Sequence, residues 1–352
     1  MFNPDCNFSH WAHDLKMEGI DSPGTPADVP TVSGDALYAV KEITGKGKSI
    51  IATSAIPKGT RIICEQPIFK LPSYSPSTIY IAGIVGAELH KLSKDKQRAY
   101  FSLPNRYKAK YGVFAGIAQT NSFPLGYDEV TEIGVFLEAS CIKHACKANT
   151  QEAWNPNIDR LTVHAVKDIE EGEEITRDYL PDVETYPDRQ AKLKADFDFD
   201  CLCELCSLPP EQRQQSDRRR EEITRLDDKL NLIFLTEPMS CFNDVRTALH
   251  LLEEEGITDS RVPRFYYYAF QNAILHGDQG RAKIFVDRAY TIQVVCDGED
   301  SPQAEKLRRL VEKPSDHRLY GTSSIWMAGL DSIPQGLSEQ EFENWLWRSG
   351  ED

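Results

Sequence analysis

The sequence predicts an α+β protein in which a strand-rich half precedes a helical half. Short β-branched runs separated by Gly- and Pro-containing turns fill the first half of the 352-residue chain, which is typical of a curled β-sheet. Beyond Pro209 and Pro210 the strand signals stop, and apolar residues recur at helical spacing. A Cys-x-Cys-x-x-Cys cluster, from Cys201 to Cys206, separates the two halves in sequence and indicates a metal site.

The first strands follow a leader. Residues 1–34 are rich in Pro, Gly, Ser and Asp and lack periodicity, so we expect an N-terminal leader. Apolar runs at 37–40, 49–53 and 61–65, with turns between them, predict three short strands. The tight turns favour a curled sheet over a parallel α/β sheet, because parallel strands need long crossover connections.

A helical insertion is predicted to split the strand-rich half. Apolar residues, among them Val85 and Leu89, recur at helical spacing within residues 73–112, where we expect the insertion. The β signals return over residues 113–181, and the segment 161–166 alternates in strand fashion.

The helical half, residues 211–352, is predicted to form one lobe. A charged helical stretch precedes a helix pair that breaks at 276–280, and Phe285 and Ala289 are spaced for one buried face of the second helix. A last helix is expected at 338–347. The pattern resembles a tetratricopeptide-like lobe, although the sequence contains no firm repeat of about 34 residues.

Composition narrows the function classes. The formal net charge is −15, and such a surface repels a phosphate backbone, so we expect no non-specific nucleic-acid binding. The acidic charge favours encounter with a basic protein or peptide such as a histone tail, or it confers solubility alone. No apolar stretch approaches the ~18 residues of a membrane span, and Met1 to Asp14 lacks the apolar run of a signal peptide. We expect a monomer in the cytoplasm or nucleus, without a membrane partner.

The cysteines indicate a metal rather than disulfides. The chain has nine, and in a reducing compartment clustered cysteines are typically metal ligands. Cys201, Cys203 and Cys206 supply three sulfurs, whereas a structural zinc is tetrahedral and closed, so a fourth ligand is required. The segment 140–149, further upstream, contains candidate donors.

Three segments in this order, 140–149, 172–179 and 201–206, resemble the C-terminal half of a SET-domain methyltransferase with its post-SET zinc segment. The turn Gly-Lys-Gly-Lys at 45–48 is similar to a turn in the N-terminal half of the family. The resemblance covers residues 35–210. The whole chain looks like the fungal-type SET proteins, which lack the zinc finger of the SET-and-MYND branch.

The resemblance implies a domain order. A SET-type β-fold, residues 35–72 and 113–181, would surround the insertion at 73–112. A post-SET zinc segment at 182–210 and the helical lobe at 211–352 would follow.

The resemblance also implies the zinc ligands. In the SET-and-MYND branch, the fourth sulfur comes from the cysteine of an Asn-His-Ser-Cys stretch, and that position is Cys146 here. The implied site is therefore Cys146, Cys201, Cys203 and Cys206. The zinc would be structural, with no open coordination position for chemistry, and would clip the post-SET segment onto the SET sheet.

A catalytic tyrosine and an S-adenosylmethionine site are implied as well. By position, Tyr179 is the tyrosine whose phenol orients the target amine toward the sulfonium methyl while water is excluded. The residues implied in cofactor binding are Lys46, Gly47, Lys48, Asn121, Lys143, His144 and Phe199. Phe199 and Phe197 occupy the positions of aromatics beside the adenine and the lysine channel, or they pack around the zinc.

One departure from the family bears on the cofactor. The Asn-His-Ser-Cys stretch reads Lys143-His144-Ala145-Cys146 here, so a lysine replaces an asparagine that contacts the cofactor. S-adenosylmethionine carries an ammonium and a sulfonium, and a further cation at about 4 Å costs several kcal/mol in a partly buried site. We therefore expect Lys143 to weaken cofactor binding unless it swings away or pairs with an acid.

Three functions remain open. The first is S-adenosylmethionine-dependent methyl transfer to a protein lysine. The second is a SET protein whose pocket no longer uses this cofactor and serves a small-molecule metabolite, for instance by shaping a cyclisation. The third is a non-catalytic binding module that uses its helical lobe. Binding of S-adenosylmethionine separates the first from the other two.

Overall fold

The computed structural model describes residues 37–45, 47–74, 77–126, 131–180, 182–233 and 237–350. The leader predicted at 1–34 and Lys46 lie outside these residues. The chain divides into two compact units, the first made of Met1–Pro181 with Gln190–Cys201 and the second of Asp182–Arg189 with Leu202–Asp352. The described strands lie in the first unit and helices build the second, so the predicted α+β class is confirmed.

The strands of the first unit form two sheets. They are β1 (Tyr38–Ile43), β2 (Gly47–Ala52), β3 (Arg61–Glu65), β4 (Phe69–Pro72), β5 (Ser122–Pro124), β6 (Glu132–Val135), β7 (Lys143–His144), β8 (Thr150–Asn155), β9 (Arg160–Ala165) and β10 (Glu174–Arg177). The larger sheet has the order β1-β2-β10-β8-β9-β3, with β7 beside β10, and the smaller has the order β4-β6-β5. The pairs are antiparallel, except that β10 runs parallel to β7 and to β8.

Apolar side chains of β2 and its neighbours build the core of the larger sheet. Four consecutive residues of β2, from Ser49 to Ala52, are buried, as in a strand that is covered on both faces. The buried residues of this core are Ile50, Ala52, Ile56, Ile62, Ile63, Cys141, Ile142, Val163, Ala165, Ile169 and Ile175. Because Cys141 and Ile142 belong to it, the core anchors the chain where it enters β7.

Three helices separate β4 from β5 in the chain: α1 (Thr78–Lys91), α2 (Lys94–Phe101) and α3 (Lys108–Thr120). Ser77 and Ser93 cap the first two, since each hydroxyl accepts the backbone N–H three residues ahead. Apolar residues of the helices pack in one cluster with residues of β4 and β6.

The predicted helical insertion extends further than the sequence indicates. The sequence predicts β structure from residue 113, whereas α3 continues to Thr120 after a break at Gly112, whose φ is +71°. Ala115, Ile117 and Ala118 are buried. A short apolar run of this kind is consistent with a buried strand or with a buried helix, and periodicity alone does not separate them.

The second unit is built from helices. The helix α4 (Tyr186–Phe197) begins in it and ends in the first unit, and the later helices are α5 (Pro210–Ile233), α6 (Pro238–Glu254), α7 (Arg261–Leu275), α8 (Gln279–Asp297), α9 (Pro302–Glu312) and α10 (Glu339–Leu346). The predicted helix pair is α7 and α8, and the predicted last helix is α10, so both predictions are confirmed. The sequence does not predict α9, although Ser301 and Pro302 are a typical start signal. Within the described ranges, no helix has the length and apolarity needed to cross a bilayer.

Candidate active site and metal centre

Strand pairing joins the two segments that carry the predicted catalytic and cofactor residues. The strands β7 and β10 run parallel, with Lys143 opposite Thr176. Asn149, directly before β8, also binds β10, because its Oδ1 accepts the N–H of Thr176 at 2.8 Å and its Nδ2 donates to the carbonyl oxygen of Glu174 at 3.0 Å. Strand β10 leads directly to Tyr179, so the predicted catalytic tyrosine lies beside β7.

The phenol of Tyr179 is enclosed by aromatic rings. Its ring centroid lies 5.2 Å from that of His144, 4.8 Å from that of Phe197 and 6.4 Å from that of Phe199. Its hydroxyl donates to the carbonyl oxygen of Ile142 at 2.8 Å. Burial raises the pKa of Tyr179 above its ordinary value. Tyr179 therefore remains a neutral phenol whose hydroxyl has a fixed direction.

A partly buried ion pair supports the same ring. The guanidinium of Arg177 lies over the rings of Phe123 and Tyr179, at 4.5 and 4.3 Å from their centroids, and pairs with Glu152. Burial raises the pKa of Glu152, and the charge of Arg177 opposes this shift. No sequence motif marks this pair. The one available signal is that Arg177 lies two residues before Tyr179, which places both side chains on one face of an extended segment.

His144 contacts both the tyrosine and the cysteine cluster. Its Nδ1 accepts the backbone N–H of Tyr179 at 3.0 Å, and its Nε2 lies 3.1 Å from Sγ of Cys146. The side chain is only 1% exposed. The resemblance implies a cofactor contact for the backbone of this histidine, whereas its ring is engaged with two protein partners.

The aromatic residues before the cysteines alternate with exposed acids. Phe197 and Phe199 are half-buried beside Tyr179. The exposed acids are Asp196, Asp198 and Asp200. Lys194 pairs with the second and third of them, at 3.7 and 3.3 Å. This segment therefore carries more acids than lysines, while the guanidinium of Arg106 lies 5.0 Å from the ring centroid of Phe197.

The glycine turn has a conformation that favours glycine. Gly47 has a φ of +72°, and a Cβ built on it would lie 4.0 Å from Oε1 of Glu42. The Nζ of Lys48 donates to Oγ of Ser102 at 3.0 Å. Lys46, the preceding residue of the turn, lies outside the described residues.

Asn121 is buried and held by the protein itself. Its Nδ2 donates to the carbonyl oxygens of Pro104 and Ile117, at 2.8 and 2.7 Å. Both amide N–H bonds are therefore used within the insertion. The side-chain N–H groups of Asn121 are therefore not available for a hydrogen bond to a cofactor.

Lys143 lies in a neighbourhood that contains acids as well as cations. Burial raises the pKa of the Cys141 thiol, Lys143 and Lys48 lower it, and Glu65 and Glu138 raise it further. The Cys141 thiol therefore lies in the field of two cations and two carboxylates, and the carboxylate of Glu65 accepts the backbone N–H groups of Leu137 and Ala139.

Two buried hydroxyls fit a polar ligand. Oγ of Ser49, next to the glycine turn, and Oγ of Ser122, next to Asn121, have no hydrogen-bond partner within the part of the chain that the structure describes. Buried polar atoms are rarely left unpaired, so a polar group from outside the chain would satisfy them. Both hydroxyls adjoin segments to which the resemblance assigns S-adenosylmethionine, and the residues present therefore fit this cofactor.

The four predicted zinc ligands lie together. The Sγ atoms of Cys146, Cys201, Cys203 and Cys206 are all within 4.8 Å of one another. Those of Cys146 and Cys201 are 3.9 Å apart, close to the edge of about 3.8 Å that a tetrahedron with zinc–sulfur bonds of about 2.3 Å requires. A set of four thiols suits a closed structural zinc.

Two consecutive side chains of α4 hold the cysteine cluster. Gln190 exchanges two hydrogen bonds with the backbone of Cys201, both at 2.9 Å. The Nη2 of Arg189 lies 3.9 Å from Sγ of Cys206. N–H donors beside thiolates stabilise their charge and orient them toward a metal. No sequence motif marks Arg189 or Gln190.

Known proteins match large parts of this chain. A protein-family model described as the SET domain matches residues 47–180. The histone-lysine N-methyltransferase set5 of Schizosaccharomyces pombe is 31% identical over 316 residues, which cover 88% of this chain and 94% of that protein. The histone-lysine N-methyltransferase SMYD3 of Homo sapiens is 28% identical over 171 residues, 43% of this chain and 39% of that protein. The N-lysine methyltransferase SMYD2 of Gallus gallus is 26% identical over 182 residues, 48% of this chain and 40% of that protein.

These similarities are not confined to one motif. The residues matched by the SET model include the strands that bring Tyr179 beside His144. The similarity to set5 extends over most of both chains. The chain therefore belongs to the SET-domain family of lysine methyltransferases.

Proposed function

We propose that this chain is an S-adenosylmethionine-dependent protein-lysine methyltransferase with Tyr179 as its catalytic residue. The observation that carries the proposal is the enclosed phenol, whose hydroxyl is fixed on the carbonyl oxygen of Ile142 and whose ring packs with Phe197 and Phe199. Such a site suits the methylation of an amine, because the amine must lose its proton and its hydration before it attacks.

Tyr179 would orient the attacking amine. Its O–H proton is engaged by Ile142, so the phenol oxygen is left to accept an N–H of the substrate. The aromatic rings of Phe197 and Phe199 exclude water, which favours the neutral amine over the ammonium. When bound, S-adenosylmethionine supplies an electron-deficient methyl group. The oriented amine would present its lone pair to that methyl group.

We propose that four segments hold the cofactor. The residues are Lys46, Gly47, Lys48, Asn121, Lys143, His144 and Phe199. The φ of Gly47 permits a close approach of the backbone. Glu65 and Glu138 act on the Cys141 thiol in the sense opposite to Lys143, which supports a site where acids lessen the repulsion between this lysine and the cofactor.

We further propose one structural zinc on Cys146, Cys201, Cys203 and Cys206. The sulfur–sulfur distances and the four-thiol composition support it. A closed site of this kind orders the chain around it and contributes no chemistry of its own.

The proposed substrate is a lysine in a basic protein. The exposed acids that alternate with Phe197 and Phe199, together with a net charge of −15, favour basic sequences around the target. Relatives such as set5 and SMYD3 are named histone-lysine methyltransferases, which supports a histone-like substrate. We propose that the protein acts as a monomer in the cytoplasm or nucleus.

We also propose the domain order that the resemblance implies. SET parts at 35–72 and 113–181 would surround the insertion at 73–112, and the post-SET segment at 182–210 would precede a tetratricopeptide-like lobe at 211–352. The helices α5 to α10 support the helical character of the lobe. No observation on the described residues favours the metabolite or binding-only alternatives.

Titration calorimetry with S-adenosylmethionine on the zinc-loaded full chain tests the proposal. We expect saturable binding of one cofactor per chain, and competition by S-adenosylhomocysteine, which lacks the transferable methyl. Absence of binding by a folded, zinc-loaded protein would contradict the proposed function and favour the alternatives.

A further inference from the structure

The ring of His144 lies between the cysteine cluster and the segment of Tyr179. Sγ of Cys146 is 3.1 Å from Nε2, on one side, and the backbone N–H of Tyr179 is 3.0 Å from Nδ1, on the other. The ring is almost fully buried, so water does not compete well for either contact. His144 therefore bridges a proposed metal ligand and the proposed catalytic residue.

The contact with Tyr179 determines which nitrogen of His144 carries the proton. A backbone N–H is always a donor, so Nδ1 must be unprotonated to accept it. A neutral imidazole then carries its proton on Nε2, which faces Cys146. Oδ1 of Asp178 also lies 3.5 Å from Nδ1, but it accepts the N–H of Leu180 at 3.0 Å. The shorter contact from Tyr179 decides the tautomer.

Bound zinc would strengthen the contact between Nε2 of His144 and Sγ of Cys146. A zinc-bound cysteine is a thiolate, and a hydrogen bond donated to a charged acceptor is stronger than one between neutral groups. Groups that hydrogen-bond to metal ligands typically change metal affinity by about 10- to 100-fold. The Nε2–H of His144 is placed to do this for Cys146.

We propose that His144 is a positioning residue that couples zinc at Cys146 to the backbone of Tyr179. With zinc bound, the thiolate of Cys146 would accept a hydrogen bond from Nε2 of His144. Nδ1 of the same ring would accept the backbone N–H of Tyr179. Metal loading would thereby regulate the position of Tyr179. The consequence for methyl transfer rests on the proposed function, whereas the coupling of zinc, His144 and Tyr179 does not.

Two substitutions separate the two contacts of His144. His144→Gln keeps an N–H donor near the position of Nε2, whereas His144→Asn keeps an acceptor near Nδ1 and removes the donor to Cys146. We expect His144→Asn to release zinc to an excess of a chromogenic chelator at least about tenfold faster than the unmodified chain, and His144→Gln to stay within about threefold of it. His164→Asn, a change of a buried histidine on β9 that bonds Arg61, is the matched control and should leave the rate unchanged.

Nuclear magnetic resonance of the unmodified full chain provides a measurement that does not depend on these variants folding. With ¹⁵N-labelled histidine, we expect His144 to carry its proton on Nε2. With ¹⁵N-labelled tyrosine, assigned by Tyr179→Phe, exchange of zinc for cadmium should shift the Tyr179 amide and leave that of Tyr100, on α2, unchanged.

A proton on Nδ1, an unshifted Tyr179 amide, or equal zinc release from the unmodified chain and His144→Asn would each overturn the coupling. If the chain binds no S-adenosylmethionine, the proposed function fails, while zinc release and the amide shift still decide the role of His144.

Discussion

Lys143 and Tyr179 lie on neighbouring segments and differ in the surroundings that suit them. Tyr179 needs an enclosed, weakly hydrated surrounding, which its packing with Phe197 and His144 provides. At its proposed place in the cofactor site, Lys143 would bring a cation to a ligand that is itself positively charged. We propose that Glu65 and Glu138, which act on the Cys141 thiol in the sense opposite to Lys143, lessen this repulsion.

Tyr179→Phe should lower the rate of methyl transfer by at least about 100-fold, because it removes an oriented polar group at the reacting amine. Binding of S-adenosylmethionine should change by less than about threefold, since the ring and its packing remain. The measurements are single-turnover methylation and calorimetry. Tyr100→Phe, which also removes a buried hydroxyl bonded to a carbonyl oxygen, is the control. Full activity of Tyr179→Phe would remove the phenol from the mechanism.

Lys143→Asn should tighten S-adenosylmethionine binding by at least about tenfold, or about 1.4 kcal/mol. The reason is the loss of a cation beside a cationic ligand. Lys143→Met removes the same charge without adding an amide, so calorimetry on both variants separates charge from hydrogen bonding. Weaker binding by both would show instead that the ammonium holds the carboxylate of the cofactor.

At the scale of elements, the sequence predicts the strands and helices that a short stretch of residues specifies by itself. The strands near 37–65 and the pair α7 and α8 follow from turn residues and periodicity. The extension of α3 to Thr120 does not, because its apolar run fits a buried strand as well as a helix. The resemblance implied Tyr179 and the four cysteines, because their motifs are contiguous.

The sequence does not predict side-chain contacts between residues that come together only when the chain folds. Arg177 and Glu152 are distant in sequence and meet because β10 runs beside β8. The donors Arg189 and Gln190 approach the cysteines from a helix that precedes them. Their residue types alone are typical of a solvated helix or strand.

Cys146→Ser should weaken zinc binding strongly, because only the three thiols of the Cys-x-Cys-x-x-Cys motif would remain of the four in the cluster, too few to close a tetrahedral site. Elemental analysis after dialysis against a mild chelator should find less than one zinc per chain, against one for the unmodified protein. Cys64→Ser, a change on β3 outside the cluster, is the control. Stoichiometric zinc in Cys146→Ser would exclude it as a ligand.

At the scale of the whole molecule, a buried acid in the helical unit contributes to the dependence of stability on pH. Asp297 ends α8, is fully buried, and accepts a hydrogen bond from Gln293. Burial raises its pKa from 3.8 to about 7. The folded state therefore binds more protons than the unfolded state between these values, and its stability falls as the pH rises from about 4 to about 7.

Asp297→Asn should remove the contribution of this residue to the pH dependence and raise the free energy of unfolding above pH 7 by an amount on the order of 4 kcal/mol. Urea unfolding at several pH values, followed by tryptophan fluorescence, measures it. Asp287→Asn, a change at an exposed position of the same helix, should have little effect. An unchanged pH dependence in Asp297→Asn would show that Asp297 ionises normally in the folded protein.

Methyl transfer itself tests the central claim most directly. The zinc-loaded full chain is incubated with S-adenosylmethionine and a mixture of histones, and lysine methylation is read by mass spectrometry of the digested products. The account predicts methyllysine with the unmodified chain and none above background with Tyr179→Phe. Binding of the cofactor without methylation of any lysine by the unmodified chain would contradict it.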